Sequence, residues 1–346
     1  TGDAKKAFAE VKDPELQKQF DDAAAKAAAA VKDLAAYIGS KPGTPDGYAL
    51  GADKFAKMIL TNEGVDTPLD ELERIGQADL KRNRDALTAA CATYAAGMSI
   101  NDCMKKMNSD KPADGPVAEA RRQLPALRAF LVEKDLVSIP GTEQAQVEES
   151  PPYNRQNSAY IDIPGPYEKG LPSVYYISPP DPTWDKQTQN DFVPGKKDLM
   201  FTSVHEVWPG HFLNFLHSNR AESIFGKLFV GYAFAEGWAH YTEEMMWDAG
   251  LGNGDPETHI GQLSNALLRD CRYLSAIGLH TKGMTVADSE KLFKEQCYQD
   301  AGNAQQQAAR GTYDPLYLNY TMGKLMIRRL RDDWIRTRGG RSAWGL

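Results

Sequence analysis

The hydrophobic and polar positions of the chain fall into long helical patterns interrupted by one short alternating region. From Ala4 to about Ile38 the sequence, including DAAAKAAAAVKDLAAYI, is strong helix-forming material, ended by Pro42, Gly43 and Pro45. A second helix is predicted from Thr67, with Thr67 as N-cap, Pro68 in the first turn and Glu71 and Glu73 as favourable early charges, to about Ala96. Shorter helical patterns follow at 100–107 and 116–134. Between about 138 and 200 the composition shifts toward Pro, Gly and Tyr, where SAYIDIP and SVYYISPP read as short strands around the turn-rich GPYEKGL. From Leu199 the pattern is helical again, with turns at 249–256, 281–284 and 310–316 and a last helix from about Leu318 to Arg336. The pattern predicts a mainly α protein with a small β insertion, in two parts, 1–137 and 138–346, integrated into one domain.

The composition suits a protein with a sizeable core: 346 residues, 42% hydrophobic and 25% charged. A net charge of −7 without a basic stripe argues against a nucleic acid or an anionic membrane as partner. No apolar run approaches the ~20 residues of a transmembrane helix. The opening TGDAKKAFAE has neither an initiator Met nor an apolar signal core, as in a processed or trimmed product.

The four cysteines sit symmetrically about two turns. Cys91 and Cys103 are equidistant from Gly97, which ends one helical pattern just before a Ser99/Asp102 capping box starts the next. Cys271 and Cys297 are equidistant from Met284, beside Gly283 and a Thr285/Asp288 pair. Residues equally far from the turn of a helical hairpin face each other across it. Disulfides Cys91–Cys103 and Cys271–Cys297, and an oxidising compartment, are the favoured reading, with four buried free thiols as the alternative.

The chemistry concentrates in VHEVWPGHFLNFLH (204–217). His205 and His211 stand six apart rather than the four that place two ligands on one helical face, so an ideal helix would leave them about 120° apart. Pro209 resolves the difficulty, because it has no N–H to give the carbonyl of His205 and its ring forces a break or bulge between Val207 and Gly210. Ser203 to Glu206 also fits a capping box, in which Glu206 would merely satisfy backbone donors. The stretch FAEGWAHYTEE shifts the balance: Glu236, His240 and Glu243 share a helical face otherwise made of apolar or small residues, where charge needs a partner. A divalent metal held by His205, His211 and Glu236 would be that partner, and two histidines, a carboxylate and an open position are the pattern of a catalytic zinc site.

These motifs give the chain a family likeness. HEVWPGH followed by EGWAHYTE resembles the bacterial domain-of-unknown-function 885 family, and LDELERIGQADLKR, VEESPPYNR, RDCRYLSAIGLHTKGMT and YTMGKLMIRRLR resemble further family segments in family order. The likeness covers nearly the whole chain. Members are longer, so it implies a missing N-terminal part as a possible partner. It also implies a large helical zinc-peptidase-like fold, related to the thimet-type oligopeptidases and angiotensin-converting enzyme. One Zn2+ per chain would be held by His205, His211 and Glu236, with Glu206 as catalytic acid/base. His240 stands where the family usually has an apolar residue, and Ala276 where an Asp often precedes GLH. The first change could add a ligand or a second-shell donor, and the second removes a possible carboxylate partner for His280 or a nearby base.

The expected function is hydrolysis of peptides or peptide-like amides in the periplasm or outside a bacterial cell. Tyr320 is the first candidate to stabilise the oxyanion, with Tyr313 and Arg272 behind it, and His240, Glu243 and His280 are further second-shell or substrate candidates. SVYYIS is the strand expected to pair with a peptide. A metal carrier, holding zinc, copper or iron, and an inactive helical scaffold are the alternatives.

Overall fold

The computed structural model describes residues 2–44, 46–155 and 157–338. It divides into two compact units, one formed by residues 1–47 with 151–156 and the other by 48–150 with 157–346. In the first, α1 (Gly2–Ala7) and α2 (Pro14–Gly39) are separate helices, where the pattern predicts one. Pro14 is the reason: it cannot continue a helix but suits a first turn, and Asp13 caps it by accepting from the backbone N–H groups of Glu15 and Leu16.

The larger unit begins with α3 (Ala52–Glu63), which the pattern does not announce because Phe55 and Ile59 alone are buried along it. α4 (Leu69–Tyr94) follows, its N-cap being Pro68 rather than Thr67. Gly97, at φ 82°, turns the chain into α5 (Ile100–Ser109), and Ser99 caps that helix by accepting from Asp102 N–H. Cys91 is bonded to Cys103 across this turn. α6 (Pro116–Lys134) leads to the sheet.

The sheet has three strands, β1 (Ala145–Glu149), β2 (Ala159–Asp162) and β3 (Ser173–Ile177), in the order β1-β3-β2. β1 is unannounced by the sequence, since Val147 is its one buried residue. It pairs parallel to β3 with Val147 opposite Tyr175, while β2 pairs antiparallel with Ile161 opposite the same tyrosine. β3 is therefore the central strand, with both edges occupied, and cannot accept a peptide by β-addition as the sequence reading expects. β1 and β2 are the edges of the sheet, and β2 is the one that lines the cavity.

After α7 (Lys186–Phe192) come α8 (Lys196–Glu206), α9 (His211–Ser218), the short α10 (Ile224–Leu228) and α11 (Tyr232–Asp248). α12 (Pro256–Thr281), α13 (Val286–Gln296), α14 (Ala301–Tyr313) and α15 (Asn319–Arg338) complete the unit. Cys271 is bonded to Cys297, and the Thr285/Asp288 capping box between them is formed.

Two hydrophobic cores result. One gathers Leu80, Leu87, Leu267, Ile277, Phe293 and Tyr317, and the other gathers Leu127, Tyr175, Phe201, Trp208, Phe212 and Met246. α11 contributes to both. Helices from either side of residue 138 share these cores, so the compositional shift there marks the start of the sheet. The protein is mainly α with a small three-stranded sheet, and no helix among the described residues is long and apolar enough to cross a membrane.

Candidate metal centre

The break expected in the histidine motif lies between α8 and α9. α8 ends at Glu206 and α9 starts at His211, with Val207–Gly210 between them and a cis bond at Trp208–Pro209. Buried Val207 and Trp208 anchor this turn in the second core. Gly210 passes so close to the preceding turn that a Cβ there would lie 1.7 Å from the carbonyl oxygen of His205, so no other residue fits. The turn brings the two imidazoles together, edge to face, with ring centroids 4.8 Å apart. Ser203 is in the last turn of α8 and donates to Gln123, which removes the capping-box reading of Glu206.

α11 supplies the third ligand candidate. Its indole at Trp238 donates to the carbonyl of Pro209 at 2.9 Å, tying the EGW and PGH motifs together. A second device sets the depth of α11: a Cβ on Gly237 would lie 2.4 Å from Cα of Gly323, and one on Gly323 would lie 1.8 Å from the Ala233 carbonyl oxygen. These two glycines let α11 and α15 touch backbone to backbone. Glu236 and Tyr320 are thereby carried to the same point.

There, Glu236 Oε2 lies 3.3 Å from Nε2 of His205 and 3.1 Å from Nε2 of His211, and one donor atom from each residue falls within 4.8 Å of the others. Ligand bonds of about 2.0–2.1 Å in tetrahedral geometry place donors roughly 3.3 Å apart, so the donor set fits a zinc ion. Behind it, Nδ1 of His205 donates to Glu243 Oε1 at 2.8 Å, leaving Nε2 free for the centre. Glu243, wholly buried, also receives Arg269 at 3.2 Å and His240 at 3.2 Å. Beyond lies a second buried network, in which Lys324 pairs with Asp79 and Asn83 donates to Asp270, bonding α4 to α15 and to α12.

The charges are strongly coupled. Burial opposes ionisation of Glu236, but His211 and His205 hold its carboxyl well below the usual range. Burial likewise opposes charging of His211, yet Glu236 lifts it to about 9. Burial pushes Glu206 up, with the two histidines only partly offsetting it. Glu206 forms no hydrogen bond or ion pair with a described residue. Burial and the nearby Lys324 depress His240 to about 4.

A cavity of about 590 Å³ opens over the cluster, within the size range of small-molecule and peptide sites. Its walls include His205, Glu206, His211, Glu236 and Tyr320, and residues 157–163 with the edge strand β2 form one side. Tyr320 stacks over His205 with ring centroids 6.0 Å apart, and its oxygen accepts from Arg310 at 3.4 Å, which leaves its own proton to donate. Arg272 also lines the cavity. Four candidates fall outside its lining: Glu243 and His240, buried behind His205, and two that lie elsewhere. His280 is buried elsewhere, its Nε2 2.8 Å from the Gly311 carbonyl and its ring stacked on Phe55, and Tyr313 is 72% exposed at the end of α14.

Sequence reasoning missed Arg269, which lines the cavity and neutralises Glu243, and the polar face of α14 formed by Asn303, Gln307 and Arg310. The spacing of the latter three, at i, i+4 and i+7, was the available signal.

Fold and site together define a mainly helical protein built around a cluster of two histidines and a carboxylate beneath an open cavity. More specifically, residues 1–344 match the family described as "Bacterial protein of unknown function (DUF885)", and the chain belongs to that family. Two solved structures share the fold. One, described as "a putative lipoprotein of unknown function" from Shewanella oneidensis, is 22% identical with a TM-score of 0.77, over 99% of this chain and 65% of that one. The other, described as "the putative lipoprotein" from Colwellia psychrerythraea, is 19% identical with a TM-score of 0.73, over 84% of this chain and 51% of that one. The chain thus spans about two thirds and half of their lengths. No curated protein matches it.

Proposed function

We propose that this chain is a zinc-dependent metallopeptidase cleaving peptides or peptide-like amides. The observation that carries the reading is the convergence of His205, His211 and Glu236 at ligand spacing in the cavity wall, beside Glu206, a buried carboxylate without a partner among the described residues. The three would hold one zinc. When bound, zinc supplies a Lewis acid that polarises a substrate carbonyl and makes water easier to deprotonate. Glu206 takes a proton from the water that adds to the carbonyl carbon, and returns it to the amine nitrogen as the C–N bond breaks. Its raised pKa suits a group that must accept and then donate. Tyr320 donates to the developing oxyanion, and Glu243 holds the His205 imidazole in place. β2, which lines the cavity, would present its backbone to an extended substrate.

A metal carrier needs neither Glu206 nor a cavity of this size, which favours the hydrolase. The two disulfides, together with relatives described as lipoproteins, support a periplasmic or secreted location. The test is metal analysis of protein purified without chelator, followed by hydrolysis of a peptide mixture by the parent and by Glu206→Gln. One zinc per chain and turnover confined to the parent are expected. Protein that holds no zinc after incubation with the ion, or a Glu206→Gln variant as fast as the parent, overturns the reading.

A further inference from the structure

The cavity is acidic and imidazole-rich at the centre, but another wall is basic. α12 presents Arg269 and Arg272 to it, and α14 presents Gln307 and Arg310. Two of these three arginines are already neutralised. Arg269 pairs with Glu243, and Arg310 pairs with Asp314 at 2.8 Å while donating to Tyr232 and Tyr320. Arg272 differs. Its Nε donates to Gln307 Oε1 at 2.8 Å and its guanidinium lies 4.7 Å over the Tyr320 ring, yet no described carboxylate comes within ion-pair distance of it. It is 8% exposed.

A guanidinium so buried loses most of its hydration, and one amide oxygen and an aromatic face replace only part of it. The group therefore calls for a counter-charge that no described residue supplies. Its planar fork matches a carboxylate, to which two parallel hydrogen bonds can form. Gln307 takes the Nε donor, and no described residue accepts from the two terminal nitrogens.

The distance to the centre sets the scale. Arg272 stacks on Tyr320, and Tyr320 stacks on the ligand candidate His205 with centroids 6.0 Å apart. An extended peptide advances about 3.3–3.6 Å per residue. A carboxylate seated at Arg272 is then one or two residues beyond a carbonyl seated at the centre.

We propose that Arg272 binds the C-terminal carboxylate of the substrate, making the protein a carboxy-terminal exopeptidase that releases one or two residues. The assignment rests on the metallopeptidase reading of the same site and names its substrate class. Arg272 is here a specificity residue, and Tyr320 spaces it from the reacting carbonyl.

The test uses the full chain in the Glu206→Gln background, so that peptides stay intact, and reads binding by calorimetry. Three peptides of one sequence are compared: a free acid, its C-terminal amide, and an amide with glutamate as the last residue. A charge-assisted bidentate pair gives an expected preference for the acid over the plain amide of about tenfold or more. Adding Arg272→Gln erases that preference, Arg272→Lys keeps part of it, and melting temperatures show that both variants fold. Equal binding of acid and amide, or a preference that survives Arg272→Gln, overturns the carboxylate site. Glutamate-amide binding as tight as the acid overturns the exopeptidase assignment. Mass spectrometry of products from the parent separates the two readings: cleavage without acid preference leaves the peptidase standing and sinks the Arg272 site. Acid preference without cleavage does the reverse.

Discussion

Nδ1 of His205 lies 2.8 Å from Oε1 of Glu243, a carboxylate with no exposed surface that is also ion-paired with Arg269. The bond fixes which imidazole nitrogen carries the proton and aims the other at Glu236 and His211. Outer partners of this kind are typically worth about 10–100-fold in metal affinity. Glu243→Gln is expected to weaken zinc binding by that factor, measured by competition with a chromophoric chelator. Unaltered affinity would mean that Glu243 serves only to neutralise Arg269.

On the proposed reading the neighbours His205 and Glu206 have different tasks, so their site can be dissected. Glu206→Gln is expected to keep zinc, fold and peptide binding while turnover falls by about 10²–10⁴-fold or more. His211→Ala is expected to lose turnover together with the metal, since two protein ligands make a poor zinc site. Metal content, melting temperature and hydrolysis distinguish the two patterns. Full activity of the His211→Ala variant after zinc has been stripped from it would sink the assignment of His211.

The crossing of α11 and α15 at Gly237 and Gly323 has no room for a methyl group, and the obstructing atoms are backbone. Gly237→Ala must separate the helices, at a cost of about 1–3 kcal/mol for overpacking. Because Glu236 adjoins the crossing, zinc affinity is expected to drop along with the melting temperature. A stable variant that binds zinc like the parent would show that the crossing does not set the depth of Glu236.

His240 couples stability to pH. Unfolded, it binds a proton near the ordinary value of about 6.5. Folded, burial and Lys324 hold it to about 4. Between these values the unfolded chain carries more protons, so the contribution of the neutral imidazole is complete above the unfolded pKa and is lost as pH falls toward the folded one. His240→Leu removes up to one proton from that difference. The slope of unfolding free energy against pH in this window is expected to flatten by up to about 1.4 kcal/mol per pH unit. Denaturant titrations across the window measure it, and an unchanged slope would mean that His240 ionises freely in the folded protein.

Each disulfide closes a helical hairpin, with 12 residues of separation in one and 26 in the other. Paired Cys→Ser replacements are expected to cost about 2–4 kcal/mol each by freeing the unfolded chain. Thiol titration of denatured, unreduced protein checks the premise, and four reactive thiols would refute both bonds.

Local spacing determined much of this protein. Most helices from 67 onward, α7 excepted, the N-cap at Ser99, the capping box at Thr285 and the pairing of four cysteines across two turns were legible because each depends on residues a few positions apart, or on symmetry about one turn. The broken helix at Pro209 was legible for the same reason, as was the shared face of Glu236, His240 and Glu243. Tertiary structure alone decided which buried charges meet. Glu243 reaches His205 across 38 positions, Arg272 is held by Gln307 across 35, and His280 is held away from the centre by Phe55 and Gly311, both distant from it in sequence. The role of the sheet also turned on packing. β1, with one buried residue, gives almost no local signal, yet by occupying the free side of β3 it leaves β2 as the edge over the cavity. A periodic pattern states which face of an element is buried; which partner covers that face follows from the packing of distant segments, and no window along the chain contains it.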